Sequence, residues 1–213
     1  MTVVEQVLFI GKGLGVTLIL FFGALAIGGI LGISVSVLRR SFKIFRLFVD
    51  NVISILRGTP VILQLSFVYF TLPSLGISIG FLTAGVVTLG INSAAYIGEI
   101  FRSGIDALPS GQFEAARVLG VTSYRLWKDI IMPQVLRNVW SSLINESIAL
   151  LKETALISTI GGTDILKCAK HLGSIQFTYF APLVIAGVYY YGIVLCIEYC
   201  GKYVERRSFP WSA

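Results

Sequence analysis

Residues 114–133 read EAARVLGVTSYRLWKDIIMP, a polar, charged island between long apolar runs, and the fold turns on what holds that island in place. Two short amphipathic helices fit it. The first covers 112–119 with Gly120 as its stop, and the second covers 123–131, N-capped by Thr122 and closed by Pro133. Ala116 and Gly120 lie four apart, so on a helix they share a face that another backbone can approach closely. The spacing predicts a bent element lying on a surface, with a docking role and no catalytic one.

The flanks belong to a membrane protein. A 213-residue chain that is 55% hydrophobic and 13% charged, with mean hydropathy +0.84, departs from the roughly 25% charged share of soluble domains. Its net charge of +6 does not point to nucleic acid, because the basic residues flank apolar runs in short clusters and form no stripe. Cys196 and Cys200 sit four apart in an apolar run without ligand partners, while Cys168 and His171 offer only two candidate donors. Neither pattern makes a metal site.

Taken in order, the first uncharged run, 13–38, lies between Lys12 and the Arg39-Arg40 pair and exceeds the length of a cleaved signal core. Within it, Gly28, Gly29 and Gly32 have helix-interface spacing. Between Arg57 and Glu99 there is no charge, which is twice the length of one crossing, and Pro73, Ser74 and Gly76 supply a turn. Spans are therefore expected at 53–72 and 79–101. Two more follow at 139–160, ended by Gly161-Gly162-Thr163, and at 177–199, with tyrosines along its length. The connection 164–176, with Lys167, Lys170 and His171, reads as an exposed outer connection whose charges either meet a substrate-delivery protein or, the reading favoured, are simply solvated.

Twelve of the seventeen Lys and Arg fall in the segments around 39–46, 102–137 and 202–207, against Lys12, Lys167 and Lys170 on the other side. By the positive-inside rule the N-terminus is outside and the C-terminus cytoplasmic. The fold class is thus an all-α polytopic bundle of about five transmembrane helices, one domain over 1–213, with a cytoplasmic loop at 109–133.

Polar residues interrupt two spans. Asn92, Tyr96 and Glu99 recur at three- and four-residue intervals, giving one helix a polar face that should line the bundle interior or a wet path. In the 139–160 span, Asn145 and Lys152 are seven apart, as are Glu146 and Glu153, and Thr154 follows; the four project within one broad stripe. A charge at bilayer depth costs at least ~2.5 kcal/mol. Two roles stay open for Lys152 and Glu153: lining a translocation path, or pairing with Glu99, Arg57 or each other to lock the bundle.

EAA, then Gly, then Ile-Ile-Met-Pro, carried by Glu114, Ala115, Ala116, Gly120, Ile130 and Pro133, resembles the EAA loop of permease subunits of binding-protein-dependent ABC importers. Met132 stands where that family usually has Leu, a swap of similar volume. Arg57-Gly58-Thr59-Pro60 resembles the RGTP signature of the polar-amino-acid branch, and SAAYIGEIFRSGIDALPSGQFEAARVLG, from Ser93, matches that branch closely. On residue grounds alone, Pro60 frees a carbonyl one turn earlier and bends the helix.

The resemblance implies a coupling helix seated on a cytoplasmic ABC ATPase dimer, with ATP and Mg bound by that partner and no cofactor on this chain. It further implies a second permease subunit, identical or related, an external or periplasmic amino-acid-binding protein, and the bacterial cytoplasmic (inner) membrane. The residues agree in what they lack. There is no GxxxxGK[ST] phosphate loop and no Ser, His and Asp constellation, so the chain reads as a transport subunit and not an enzyme. An ion-driven secondary transporter or channel is the alternative, disfavoured by an odd span number without inverted repeats.

Overall fold

The computed structural model describes residues 1–41 and 43–208, with side chains at 1–39 and 46–208. Arg40 and Lys43 of the basic segment therefore lie outside the described side chains. Ten α-helices follow one another among the described residues, without a strand: α1 Val3–Gly11, α2 Leu14–Ser41, α3 Lys43–Gly58, α4 Val61–Thr71, α5 Phe81–Asp106, α6 Ser110–Val118, α7 Ser123–Arg125, α8 Met132–Glu153, α9 Ile165–Gln176 and α10 Phe180–Ser208. A π-helical stretch, Leu126–Ile131, joins α7 to α8, and a 3₁₀ stretch, Thr154–Ile160, prolongs α8.

Among the described residues three stretches are long and apolar enough to cross a bilayer alone: Val3–Arg39, Phe81–Asp106 and Phe180–Ser208. α8 carries too many polar residues to qualify by composition, yet its 22 residues rise about 33 Å, enough for a hydrocarbon core of about 30 Å. The stretch 53–72, anticipated as one bent span, is instead broken. Arg46–Gly58 and Val61–Leu75 meet at 99°, because Pro60 cannot donate to Leu56 and its predecessor is pushed out of the helical region.

α5 is the axis of the bundle. Fourteen of its 26 residues are buried, and α2 lies along it at backbone distance. A Cβ on Gly32 would come within 2.9 Å of the Ala94 carbonyl, and one on Gly28 within 3.0 Å of Ser93. Only glycine permits that approach. Gly29, by contrast, faces open space and contributes nothing to the contact.

α8 packs on the other flank of α5, with Val139 against Gly104, and is tied to α10 where Trp140 Nε1 donates to the Gly201 carbonyl at 2.9 Å. The segment 164–176 is a helix and not a loop; Lys170 and His171 are exposed on it as anticipated and Lys167 is half-buried, but its first carboxylate is not solvated. Asp164 is fully buried and N-caps α9, accepting from Leu166 N–H and Lys167 N–H at 3.1 and 3.0 Å, while Tyr190 donates its hydroxyl to the same carboxylate at 3.1 Å. Ile165, Ala169 and Leu172 then press α9 onto Ile10 and Ala186, closing that end of the bundle.

Candidate functional site

The hairpin between α5 and α8 is built by its own local chemistry. Pro109 opens α6, and α6 ends in a Schellman arrangement. Val121 N–H donates to the Ala116 carbonyl at 2.9 Å and Gly120 N–H to that of Arg117 at 3.1 Å, with Gly120 left-handed at φ +68°. This differs from the docking face anticipated for Ala116 and Gly120. Ala116 is buried in the hairpin's own core with Leu126 and Ile131, and Gly120 lies beyond the helix, so the two share no outer face.

Glu114 and Ala115 are exposed on α6, and Ile130 and Pro133 are exposed on the returning limb. Beside them stand three apolar side chains that the periodicity does not single out: Val118, Leu119 and Tyr124, at 88, 77 and 71% exposure. The signal was available, since two apolar residues between Arg117 and Gly120 sit where an amphipathic surface helix should be polar. Among the described residues nothing covers these outward apolar groups at the hairpin tip, which is the signature of a protein-binding surface.

Pro133 does not close the second limb. The helix runs through it, because Leu126–Ile131 is wound as a π-helix and Met132 N–H reaches back to Trp127; the bond Pro133 cannot make is absorbed by the looser turn. Gln112 and Gln134 exchange two amide hydrogen bonds, and Phe113 meets Trp127 edge-on at 6.2 Å between ring centroids. The hairpin is thus fastened to α8, which is its direct continuation.

On α5, the polar residues divide their tasks. Asn92 Nδ2 donates to the Leu56 carbonyl and to Gln64 Oε1, both at 3.2 Å, and Gln64 Nε2 donates to the same carbonyl at 2.8 Å. That carbonyl is the one orphaned by Pro60, so Asn92 and Gln64 satisfy the break in the helix. One turn on, the Arg57 guanidinium lies over the Tyr96 ring, 5.2 Å from its centroid. Another turn on, Glu99 accepts from Arg39 at 2.6 Å and from Arg102 at 2.7 Å, with Arg57 at 3.5 Å.

The stripe on α8 faces two ways. Glu146 accepts from Ser93 on α5 at 2.8 Å, and Glu153 is half-buried. Asn145 and Lys152 are exposed, on a side that this chain does not cover. Thr154 is buried and donates to the Leu151 carbonyl at 2.6 Å. Glu99 is held by Arg39 and Arg102, with Arg57 at 3.5 Å, so of the locking partners considered for Lys152 and Glu153 neither Glu99 nor Arg57 is the one they meet. Among the described residues no group of three or more His, Cys, Asp or Glu has metal-holding geometry.

Residues 24–209 match the family model described as the binding-protein-dependent transport system inner membrane component. The chain belongs to that family. Among its relatives is the arginine transport system permease protein ArtQ of Bacillus subtilis, 43% identical over 206 residues, which cover 96% of this permease and 94% of ArtQ. Among solved structures, the crystal structure of an amino acid ABC transporter with histidines matches the permease at 37% identity and TM-score 0.88. That match covers 97% of this chain and all of that one. The MetNI methionine ABC transporter in an inward-facing form matches at 23% identity and TM-score 0.81, over 98% of this chain and 99% of that one, and so speaks for the fold alone. The permease is accordingly a helical membrane-transport subunit.

Proposed function

We propose that this permease forms the membrane path of an ATP-driven importer for a polar amino acid, in the bacterial cytoplasmic membrane. Its N-terminus lies outside and its hairpin inside. A cytoplasmic ABC ATPase dimer, holding ATP and Mg, supplies the energy; a binding protein outside delivers the substrate; and a second permease, identical or related, completes the path. One observation carries the reading: a hairpin with an apolar tip, Val118, Leu119 and Tyr124, is fastened by Gln112–Gln134 to the helix it continues into.

In this reading Glu114, Ala115, Gly120, Ile130 and the tip residues meet the ATPase, while Pro133 and the buried Ala116 hold the hairpin's shape. Closure of the ATPase dimer displaces the hairpin, and α5 and α8, which run side by side away from it, tilt with it. Bistable tilting of packed helices is how small movements at one surface become a change of access at another. The stripe of Asn145, Glu146, Lys152 and Glu153, with Asn92, Tyr96, Glu99 and Thr154 nearby, supplies the polar groups of the path. The carried amino acid is a polar one, the reading supported by the RGTP-type segment and by the name of the arginine relative.

The test is uptake into proteoliposomes holding the permease with its ATPase and binding protein. Amino-acid accumulation that needs ATP and persists with ion gradients collapsed is expected. Accumulation that follows an ion gradient without ATP would overturn the reading in favour of a secondary transporter.

A further inference from the structure

Arg46, Asp50, Arg39, Glu99, Arg102 and Asp106 form a chain of ion pairs that alternates in sign from end to end. The links are 3.7 Å for Arg46–Asp50, 2.6 Å for Arg39–Glu99, 2.7 Å for Arg102–Glu99 and 3.2 Å for Arg102–Asp106, with Arg39 also paired to Asp50. In these links three positive charges of the described residues meet three negative ones. Arg57 stands beside this chain without being needed to balance it. Its contact to Glu99 is 3.5 Å, longer than the roughly 2.7–3.2 Å of a made hydrogen bond.

What Arg57 does face is a cleft of about 630 Å³ between α5 and α8, next to the hairpin. Tyr96 backs its guanidinium, and Ser103, Asn138 and Ser142 line the cleft with neutral hydrogen-bonding groups. The Arg57 side chain is 43% exposed, so its planar fork is open to a ligand. A guanidinium placed over an aromatic ring is pre-organised, and its paired N–H groups match the two oxygens of a carboxylate. The volume suits a molecule of amino-acid size.

We propose that Arg57, positioned by Tyr96, is a carboxylate-binding station at the hairpin end of the path. It takes the α-carboxylate of an amino acid, with Ser103, Asn138 and Ser142 around the remainder of the molecule. The proposal rests on the importer reading above and assigns a site within it. The acidic Glu146 and Glu153 lie further along α8, so the two ends of a zwitterion meet opposite charges at different depths. A carboxylate that leaves the α8 stripe finds its next counter-charge at Arg57. Glu99 and Arg102 also line the cleft, but Arg102 is paired at 2.7 and 3.2 Å to Glu99 and Asp106 and Arg39 is paired to Glu99 and Asp50, which leaves Arg57 the guanidinium with the longest ion-pair contact to Glu99.

The experiment uses the permease assembled with its ATPase in lipid nanodiscs, without nucleotide. L-arginine, L-glutamine and L-histidine are the probes, each with its methyl ester, which keeps the side chain and amine but lacks the carboxylate. The wild type is expected to bind at least one amino acid and to prefer it over its ester. Arg57→Met should weaken that binding by about 10- to 100-fold, the scale of one charged hydrogen-bonding partner, and abolish the preference over the ester. Arg57→Lys should fall between the two.

Because Arg57→Met also removes the contact to Glu99, Ser142→Leu is the second variant. It fills the cleft from α8 without touching the ion chain, and should weaken binding as well. Wild-type affinity and ester discrimination in both variants would overturn the site. So would intact ATP-driven uptake by the wild type with no Arg57-dependent binding, which leaves the importer reading standing. Failure of ATP-driven uptake for a panel of standard amino acids would overturn both.

Discussion

The side-chain amides of Gln112 and Gln134 face each other and exchange two hydrogen bonds, of 3.0 and 2.9 Å, one in each direction. Gln134 also donates to the Ile130 carbonyl at 2.8 Å, so a single side chain ties α6, the π-helical stretch and α8 together. This pair adds a hydrogen-bonded join between the hairpin's outbound limb and the helix running back through the membrane to the apolar packing of Ala116 and Phe113 in the core that includes Val135 and Val139.

Replacing Gln134 with Leu strands a half-buried Gln112 amide, at a cost of about 1–3 kcal/mol, whereas the double change Gln112→Leu with Gln134→Leu removes both partners and should be nearer neutral. Thermal melting in detergent checks this. Amino acid imported per ATP hydrolysed should fall in both variants, because the tie is lost in both. A double variant that regains stability and also couples like the wild type would exclude the amide pair from the transmission route.

Gly120 has open space around it and φ +68°. A small L-residue there meets only the backbone cost of the left-handed region, about 1–2 kcal/mol, which asparagine tolerates best. Gly120→Asn should therefore transport nearly normally and Gly120→Val should be destabilised by a measurable drop in melting temperature. Gly120→Trp should insert and fold but lose uptake while ATP hydrolysis continues. Normal uptake by a well-expressed Gly120→Trp permease would count against contact between the tip and the ATPase.

The break at Pro60 and the amides that satisfy it should be energetically coupled. Gln64→Leu removes the 2.8 Å bond to the Leu56 carbonyl and the bonds to Thr59, and should cost about 1–3 kcal/mol. Pro60→Ala restores an N–H able to serve that carbonyl, so Gln64→Leu should cost less in the Pro60→Ala background. A double-mutant cycle on unfolding free energies reads the difference; strict additivity would mean that the Leu56 carbonyl is not what Gln64 is there to satisfy.

Burial raises the Asp164 carboxyl above its ordinary value, against the opposing pull of the Lys167 and Leu166 N–H groups and the Tyr190 hydroxyl. An acid whose folded value lies above its unfolded value binds protons more readily in the fold. Its contribution is then present at low pH and lost as pH rises from the ordinary aspartate range through the raised folded value. Asp164→Asn keeps the capping acceptor and should flatten that part of the stability–pH curve. An unchanged slope in the variant would assign it to another group.

The fold was legible where composition and period decide it. An uncharged run, a basic flank and a repeated apolar stripe mark helices in lipid, and the all-helical bundle follows from them. Local stops were legible for the same reason: Gly120, Gly161 and Pro60 each act through their own backbone. What was hidden are partners far apart in sequence. Glu99 meets Arg39 sixty residues earlier, and Asn92 meets the Leu56 carbonyl thirty-six residues earlier. Periodicity puts both on a polar face but says nothing of what that face meets. Asp164 misled for a related reason, since a carboxylate between the Gly161-Gly162 pair and Lys167 reads as solvated until α9 folds back over α1 and α10. Pro133 misled because a π-wound turn leaves no mark in composition.

Where Gly28 and Gly32 bring the α2 backbone against α5, no layer of side chains lies between the two to slide or compress. A push delivered at the inner end of α5 cannot travel along that helix alone; residues 14–39 must ride with it as one thick strut. The smallest piece of this molecule able to lean is therefore a welded pair, and its inertness to internal shear is what would make a nudge at one surface arrive undiminished at the other.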